Sequence, residues 1–91
     1  MPTPNLTKEA LDFIAKMQHK HAKQVLLRII TLCADSTPAD SKLLKGFSEG
    51  YRRVDSGEYR IIYRLEGDDL EIYSIGKRND DEVYRKFERK R

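Results

Sequence analysis

The sequence predicts an α+β fold: an N-terminal helical hairpin packed on a small antiparallel β-meander, followed by a short C-terminal helix. Three observations predict it. Apolar residues recur at helical spacing in two successive segments before residue 35, and from Tyr51 onward two turn signals separate strand-like runs. A last apolar set at helical spacing, Val83, Tyr84 and Phe87, closes the chain. Helices, strands and a final helix in that order give helices on one face of the sheet and an open face opposite. At 91 residues the chain has room for one core, so residues 1–91 are expected to form a single domain.

The elements follow in order. Met1 to Asn5 is a proline-punctuated tail. Thr7 is placed as an N-cap, with Leu6 and Leu11 spaced as a hydrophobic staple. Ala10, Phe13, Ile14 and Met17 form one apolar stripe of a helix of about three turns. The polar segment QHKHAK, Gln18 to Lys23, breaks the pattern before Val25, Leu26, Ile29, Ile30, Leu32 and Cys33 resume it over two adjacent faces. A break this short makes the two helices antiparallel neighbours or one kinked helix. His19 and His21 lie in the break without Cys, Asp or Glu at supporting spacing, so no metal site and no cofactor are expected.

Asp35 to Ser41, DSTPADS, ends the second helix and reverses the chain. KLLKGF, Lys42 to Phe47, is a brief strand or an irregular edge, and Tyr51 to Val54 is the first clear strand. Asp55-Ser56-Gly57 has the chemistry of a hairpin turn. Glu58 to Leu65 is the central strand, Glu66 to Asp69 a second turn, and Leu70 to Ile75 the antiparallel partner. Gly76-Lys77-Arg78 ends the sheet, and Asn79 or Asp80 can cap the last helix.

Charge patterning narrows the function. Arg60 and Arg64 alternate with Tyr59, Ile61 and Tyr63, so in a strand the guanidinium groups leave one face and the rings leave mostly the other. Tyr59 and Tyr63 are accordingly assigned to packing, and Arg64 and the terminal KFERKR to solvated charge. The net charge of +3 is modest, but acids gather at Glu66 to Glu71 and at Asp80 to Glu82, leaving Arg52, Arg53, Arg60, Arg64, Lys77 and Arg78 as basic surface. A polyanion is the natural partner of such a surface; a solvated face of balanced charge is the alternative. The single Cys33 sits in an apolar run and reads as a buried thiol, not part of a disulfide framework. No signal-like or membrane-spanning run is present in the sequence, and a cytoplasmic location is expected.

The run from Lys42 to Tyr84, with KLLKG, YRRVDSGEYRIIYRL and IYSIGKRNDDEVY, resembles the RelE family of bacterial toxins in the RelE/ParE toxin–antitoxin superfamily. The resemblance implies a RelE-like fold and a ribosome-dependent mRNA endoribonuclease that cuts a codon in the decoding site. It also implies a cognate antitoxin that holds the toxin inactive, with operator DNA met only through the antitoxin complex. By the same resemblance Arg60 is the central-strand arginine, Arg78 the arginine of the GKR turn and Tyr84 the tyrosine of the C-terminal helix, all serving RNA cleavage. Arg52 and Arg53 stand where mRNA-cutting relatives carry paired lysines, and with Lys45 and Lys77 they are assigned to RNA binding.

The residue types suit that chemistry. A neighbouring 2′-hydroxyl can attack phosphorus, so the protein need only align it, remove its proton and stabilise developing negative charge. Guanidinium groups at Arg60 and Arg78 offer bidentate contacts to phosphate and stay protonated, and Tyr84 can stack on a base or touch the 2′-hydroxyl. Ion pairing of Arg60 and Arg78 with Glu58, Asp80 or Asp81, and simple packing of Tyr84, are the structural alternatives. The sequence departs from the family in two places. Arginine at 52 and 53 cannot act as a base, which leaves Lys45, Glu49 and Lys77 as candidates, and there is no His beyond His21. The family's first strand is expected to be missing or very short because MPTPNL carries two prolines, which would leave an exposed sheet edge for an antitoxin strand or helix. A ParE-like poison of DNA gyrase and an inactive antitoxin-binding member are the other two functional readings.

Overall fold

A computed structural model describes residues 1–45, 50–79, 83–85 and 87. The elements are β1 (Thr3–Leu6), α1 (Lys8–Ala15), α2 (His19–Ala34), β2 (Lys42–Leu43), β3 (Arg52–Ser56), β4 (Tyr59–Glu66) and β5 (Asp69–Lys77), with residues 83–85 and 87 helical. They form one five-stranded sheet in the order β1-β5-β4-β3-β2. Strands β2 to β5 pair antiparallel as expected, and β1 pairs parallel to β5.

The expectation that the first strand is missing or very short is therefore wrong, and the reason lies in the ladder. Thr3 N–H donates to the Asp68 carbonyl at 2.9 Å and Thr7 N–H to the Ile72 carbonyl at 3.2 Å, so alternate residues of β1 turn their amides toward β5. Pro4 falls between them and faces the free edge, where no N–H is needed. The edge that a missing first strand would leave exposed is thus occupied by β1, paired to β5.

Thr7 caps α1 as the sequence predicts. Its hydroxyl accepts from Ala10 N–H at 3.2 Å and donates to the Tyr73 carbonyl at 3.0 Å, fixing the helix entry to β5. Leu11, expected to staple against Leu6, is 54% exposed. The break between the helices is shorter than QHKHAK: α2 starts at His19, so both histidines lie in its first turn, and the His21 ring packs edge-on against Tyr59 at 5.6 Å. Val25, Ile29, Leu32 and Cys33 of α2 are buried, whereas Leu26 and Ile30 are not, so one face of the helix meets the sheet instead of two.

The sheet separates two cores. On the helix side, Ala10, Val25, Ile29 and Leu32 pack on Val54, Ile61, Tyr63, Leu70, Ile72 and Ile75. The hydroxyl of Tyr63 donates to the Ser36 carbonyl at 2.7 Å, tying the loop after α2 to the sheet. On the opposite side, Leu44, Ile62, Val83 and Phe87 are buried together against Tyr51, Tyr73 and Tyr84. This face is consequently not open, as the sequence suggested; the helical residues after 82 cover part of it. A bulge in β5, where Ile62 pairs with Ser74 but Tyr63 with Ile72, turns both Tyr73 and Ser74 toward that covering segment.

Two contacts dock the C-terminal segment. Ser74 Oγ donates to the Val83 carbonyl at 3.2 Å, and a Cβ at Gly76 would lie 3.0 Å from Val83 N and 3.1 Å from its Cα. Gly76 is thus required by a close approach of two backbones. Gly76→Ala is expected to lower the unfolding free energy by about 1–3 kcal/mol, read as a lower urea midpoint at unchanged slope; an unaltered midpoint would disprove the close approach.

Candidate active site

The β3–β4 hairpin is closed by the two-residue turn Gly57-Glu58, with Gly57 at φ +60°, a conformation glycine adopts without steric cost. The sequence reading started this turn two residues earlier, at Asp55. Asp55 consequently belongs to β3 and lies directly opposite Arg60 on β4.

That pairing organises the site. Arg60 Nε donates to Asp55 Oδ1 at 2.7 Å and its Nη2 to Oδ2 at 3.3 Å, while Nη1 donates to the Tyr84 hydroxyl at 2.8 Å. The Arg60 guanidinium carbon lies 5.9 Å from the Tyr84 ring centre. Arg78 approaches from the end of β5, its Nη1 3.8 Å from Asp55 Oδ2, and its backbone N–H donates to the Glu58 carbonyl at 3.0 Å. Arg60 and Arg78 therefore meet around one carboxylate that the sequence reading had assigned to a turn, and Tyr84 joins them through Arg60. Glu58 contributes a backbone carbonyl to Arg78, and Asp80 and Asp81 lie outside the described residues.

Electrostatics follow from this geometry. The Arg60 hydrogen bond holds the Asp55 carboxyl below the ordinary aspartate range, the charges of Arg60, Arg78 and Arg53 adding to it against the opposing effect of burial. The same bond raises the Arg60 pKa further, keeping the group cationic. Arg60 was expected at the surface, yet its side chain is only 17% exposed; that of Arg78 is 47% exposed.

Beside the cluster lies a groove of about 890 Å³ lined by Lys42, Leu43, Lys45, Arg52, Arg53 and Tyr84, among others. Three of the four residues assigned to RNA binding thus share one basic groove with Tyr84. Arg52 Nε donates to Ser41 Oγ at 3.2 Å, which holds it at the rim. The fourth, Lys77, pairs with Tyr59 across the β4–β5 ladder and lines a separate hollow with Phe13, Met17 and His21 on the helix side. Of the possible bases, Lys45 is on the groove, Lys77 is on the other face, and Glu49 lies outside the described residues, as does KFERKR apart from Phe87.

Arg64, assigned from sequence to solvated charge, is instead packed between rings. Its guanidinium carbon is 4.6 Å from the Tyr51 centroid and 6.0 Å from that of Tyr73, and it forms an ion pair with Glu66. Tyr51, Tyr73 and Phe87 meet edge-to-face at 4.8–5.9 Å, so Arg64 closes an aromatic cluster that seats the C-terminal segment carrying Tyr84.

Residues 5–82 match the family model described as the ParE toxin of the type II toxin–antitoxin system parDE. The chain belongs to this toxin family, within the RelE/ParE superfamily. Among solved structures the toxin is similar to a mutant of the Escherichia coli toxin RelE in its free state. The TM-score is 0.77 at 17% identity, covering 98% of this chain and 96% of that one. It is also similar to RelE of the Pyrococcus horikoshii RelE–RelB complex, with TM-score 0.76, 19% identity and coverage of 87% and 97%. The Mycobacterium tuberculosis RelBE2 complex gives TM-score 0.69, 22% identity and coverage of 86% and 100%. The RelE-like fold expected from the GKR and YR motifs is thus the fold of this toxin. Compared with curated protein sequences, the chain has no match. No described helix is long and apolar enough to cross a membrane.

The Asp55 pair has a pH signature. Its folded-state pKa lies below the unfolded value, so its stabilisation is present in full above about pH 4 and is lost as the pH falls through the folded pKa. Asp55→Asn is therefore expected to lower stability at neutral pH and to flatten its dependence on pH in the acid limb. Identical acid slopes in urea titrations of the two proteins would refute the ion pair.

Proposed function

We propose that the toxin is a ribosome-dependent mRNA endoribonuclease acting in the cytoplasm and restrained by a cognate antitoxin. The observation that carries this reading is that Tyr84, on the wall of the groove that Lys45, Arg52 and Arg53 make basic, accepts from Arg60, whose partner Asp55 also draws in Arg78. A basic groove binds a phosphodiester chain without regard to sequence, and the two guanidinium groups gathered at Asp55 suit the charge developing on one phosphate. In the reaction the 2′-oxygen bonds to phosphorus and its proton passes to a base. The bond from phosphorus to the 5′-oxygen breaks, and the leaving oxygen takes up a proton, giving a 2′,3′-cyclic phosphate and a free 5′-hydroxyl. Lys45 is the candidate base placed on the groove. Tyr84, whose hydroxyl accepts from Arg60, retains its own proton for a phosphate or 2′-oxygen.

The family model favours a second reading, a ParE-like poison of DNA gyrase that binds without cutting. Purified toxin in a cell-free translation reaction separates the two. New mRNA 3′ ends at the decoding site, seen only with ribosomes, are expected; intact mRNA together with inhibited supercoiling by gyrase would favour the poison. Exposed Arg78 is the cleaner probe of the site, and Arg78→Ala is expected to slow cleavage by about 10²–10³-fold with little change in melting. Cleavage at the wild-type rate would remove Arg78 from the mechanism. Tyr84→Phe tests the hydroxyl separately: loss of cleavage on a folded variant is the expected result, and full activity would leave the ring alone with a role.

A further inference from the structure

We propose that Asp55 is the positioning residue of this site, holding Arg60 so that its guanidinium reaches Tyr84 and the scissile phosphate together. The inference rests on the endoribonuclease reading and goes beyond it, because Asp55 itself touches no substrate.

The contacts define the role. Asp55 takes the lateral edge of the guanidinium through Nε and Nη2, and Tyr84 takes one N–H of Nη1. Three of the five guanidinium N–H groups are thereby committed. Among the described residues the remaining two, one on each Nη, meet no partner and are left for a phosphate oxygen pair. Arginine otherwise has much rotamer entropy to lose on being fixed; a carboxylate directly across the β3–β4 ladder removes that freedom before substrate arrives. Arg78 differs. At 3.8 Å its charge is near Asp55 but beyond hydrogen-bond distance, and the side chain is half exposed. One arginine is thus anchored and the other remains available to close over the phosphate, while one negative charge offsets the repulsion between the two cations.

Two properties argue against Asp55 being the base. Both its oxygens already accept from Arg60, and the arginines hold it ionised with little proton affinity. Its effect should therefore be exerted through Arg60 alone.

The test compares wild type, Asp55→Asn, Asp55→Glu, Arg60→Lys and the Asp55→Asn/Arg60→Lys double variant. Single-turnover cleavage of ribosome-bound mRNA is followed at several toxin concentrations, with the Arg60 Nε–H signal observed by nitrogen-15 NMR. The first-order rate constant of Asp55→Asn is expected to fall by about 10²-fold, as for a misplaced catalytic group. The half-saturating concentration should stay level or fall, since a negative charge is lost beside a basic groove. Asp55→Glu should recover part of the rate, and Asp55→Asn should add little in the Arg60→Lys background. In the NMR arm the slowly exchanging Arg60 Nε–H should be lost in Asp55→Asn while the backbone amide spectrum persists.

A wild-type rate for Asp55→Asn, additive effects in the double variant, or an unchanged Nε–H signal overturns the proposal. So does a faster rate, which would mean that the carboxylate competes with substrate for the arginines. If the wild-type protein leaves mRNA intact, the endoribonuclease reading and this proposal fall together; if it cuts and Asp55→Asn cuts equally well, this proposal falls alone.

Discussion

The register of the β3–β4 hairpin places Asp55 against Arg60, the contact around which the candidate site is built. Two residues, Gly57 and Glu58, close the turn, and Ser56 then faces Tyr59, Asp55 faces Arg60 and Val54 faces Ile61. Because side chains alternate along a strand, a slip of one residue in β4 would carry Arg60 into the helix-side core and turn Ile61 outward. Burial of Val54, Ile61 and Tyr63 on that side therefore enforces the placement of Asp55 and Arg60 on the other. Core packing and the geometry of the candidate site are set by the same pairing.

The second constraint is the seating of the C-terminal segment. Tyr84 reaches Arg60 because Val83 sits directly on β5, which only glycine at position 76 permits, and because Ser74, Tyr73 and Tyr51 receive the segment's polar and apolar sides. The β5 bulge is part of this arrangement, since it points Tyr73 and Ser74 to one face where a regular strand would divide them. Arg64 contributes by packing against the Tyr51 and Tyr73 rings. The GKR motif thus has two kinds of residue: Gly76 admits the helix and Arg78 supplies a charge.

A family model for a ParE toxin and structural similarity to RelE toxins are compatible, because a shared fold hosts different activities and the site distinguishes them. In this toxin Arg60 and Arg78 meet at Asp55, and Lys45, Arg52 and Arg53 line a groove together with Tyr84, the partner of Arg60.

What the sequence determined by itself was what local patterning controls: both N-terminal helices, the Thr7 cap, the antiparallel strands β3 to β5, and the sorting of Arg60 and Arg64 to one face and Tyr59 and Tyr63 to the other. The motifs also named Arg60, Arg78 and Tyr84. Only the tertiary structure decided which residues those three meet. Asp-Ser-Gly carries the same turn chemistry whether the turn starts at Asp55 or two residues later, and pairing across the ladder resolves that choice in favour of an Asp55–Arg60 contact. Composition likewise makes Arg64 a surface charge and MPTPNL a poor strand. The rings around Arg64 come from β3 and β5, and the tolerance of Pro4 comes from which side of β1 lacks a neighbour. Each of these depends on contacts between distant segments, so periodicity within one segment carries no trace of it.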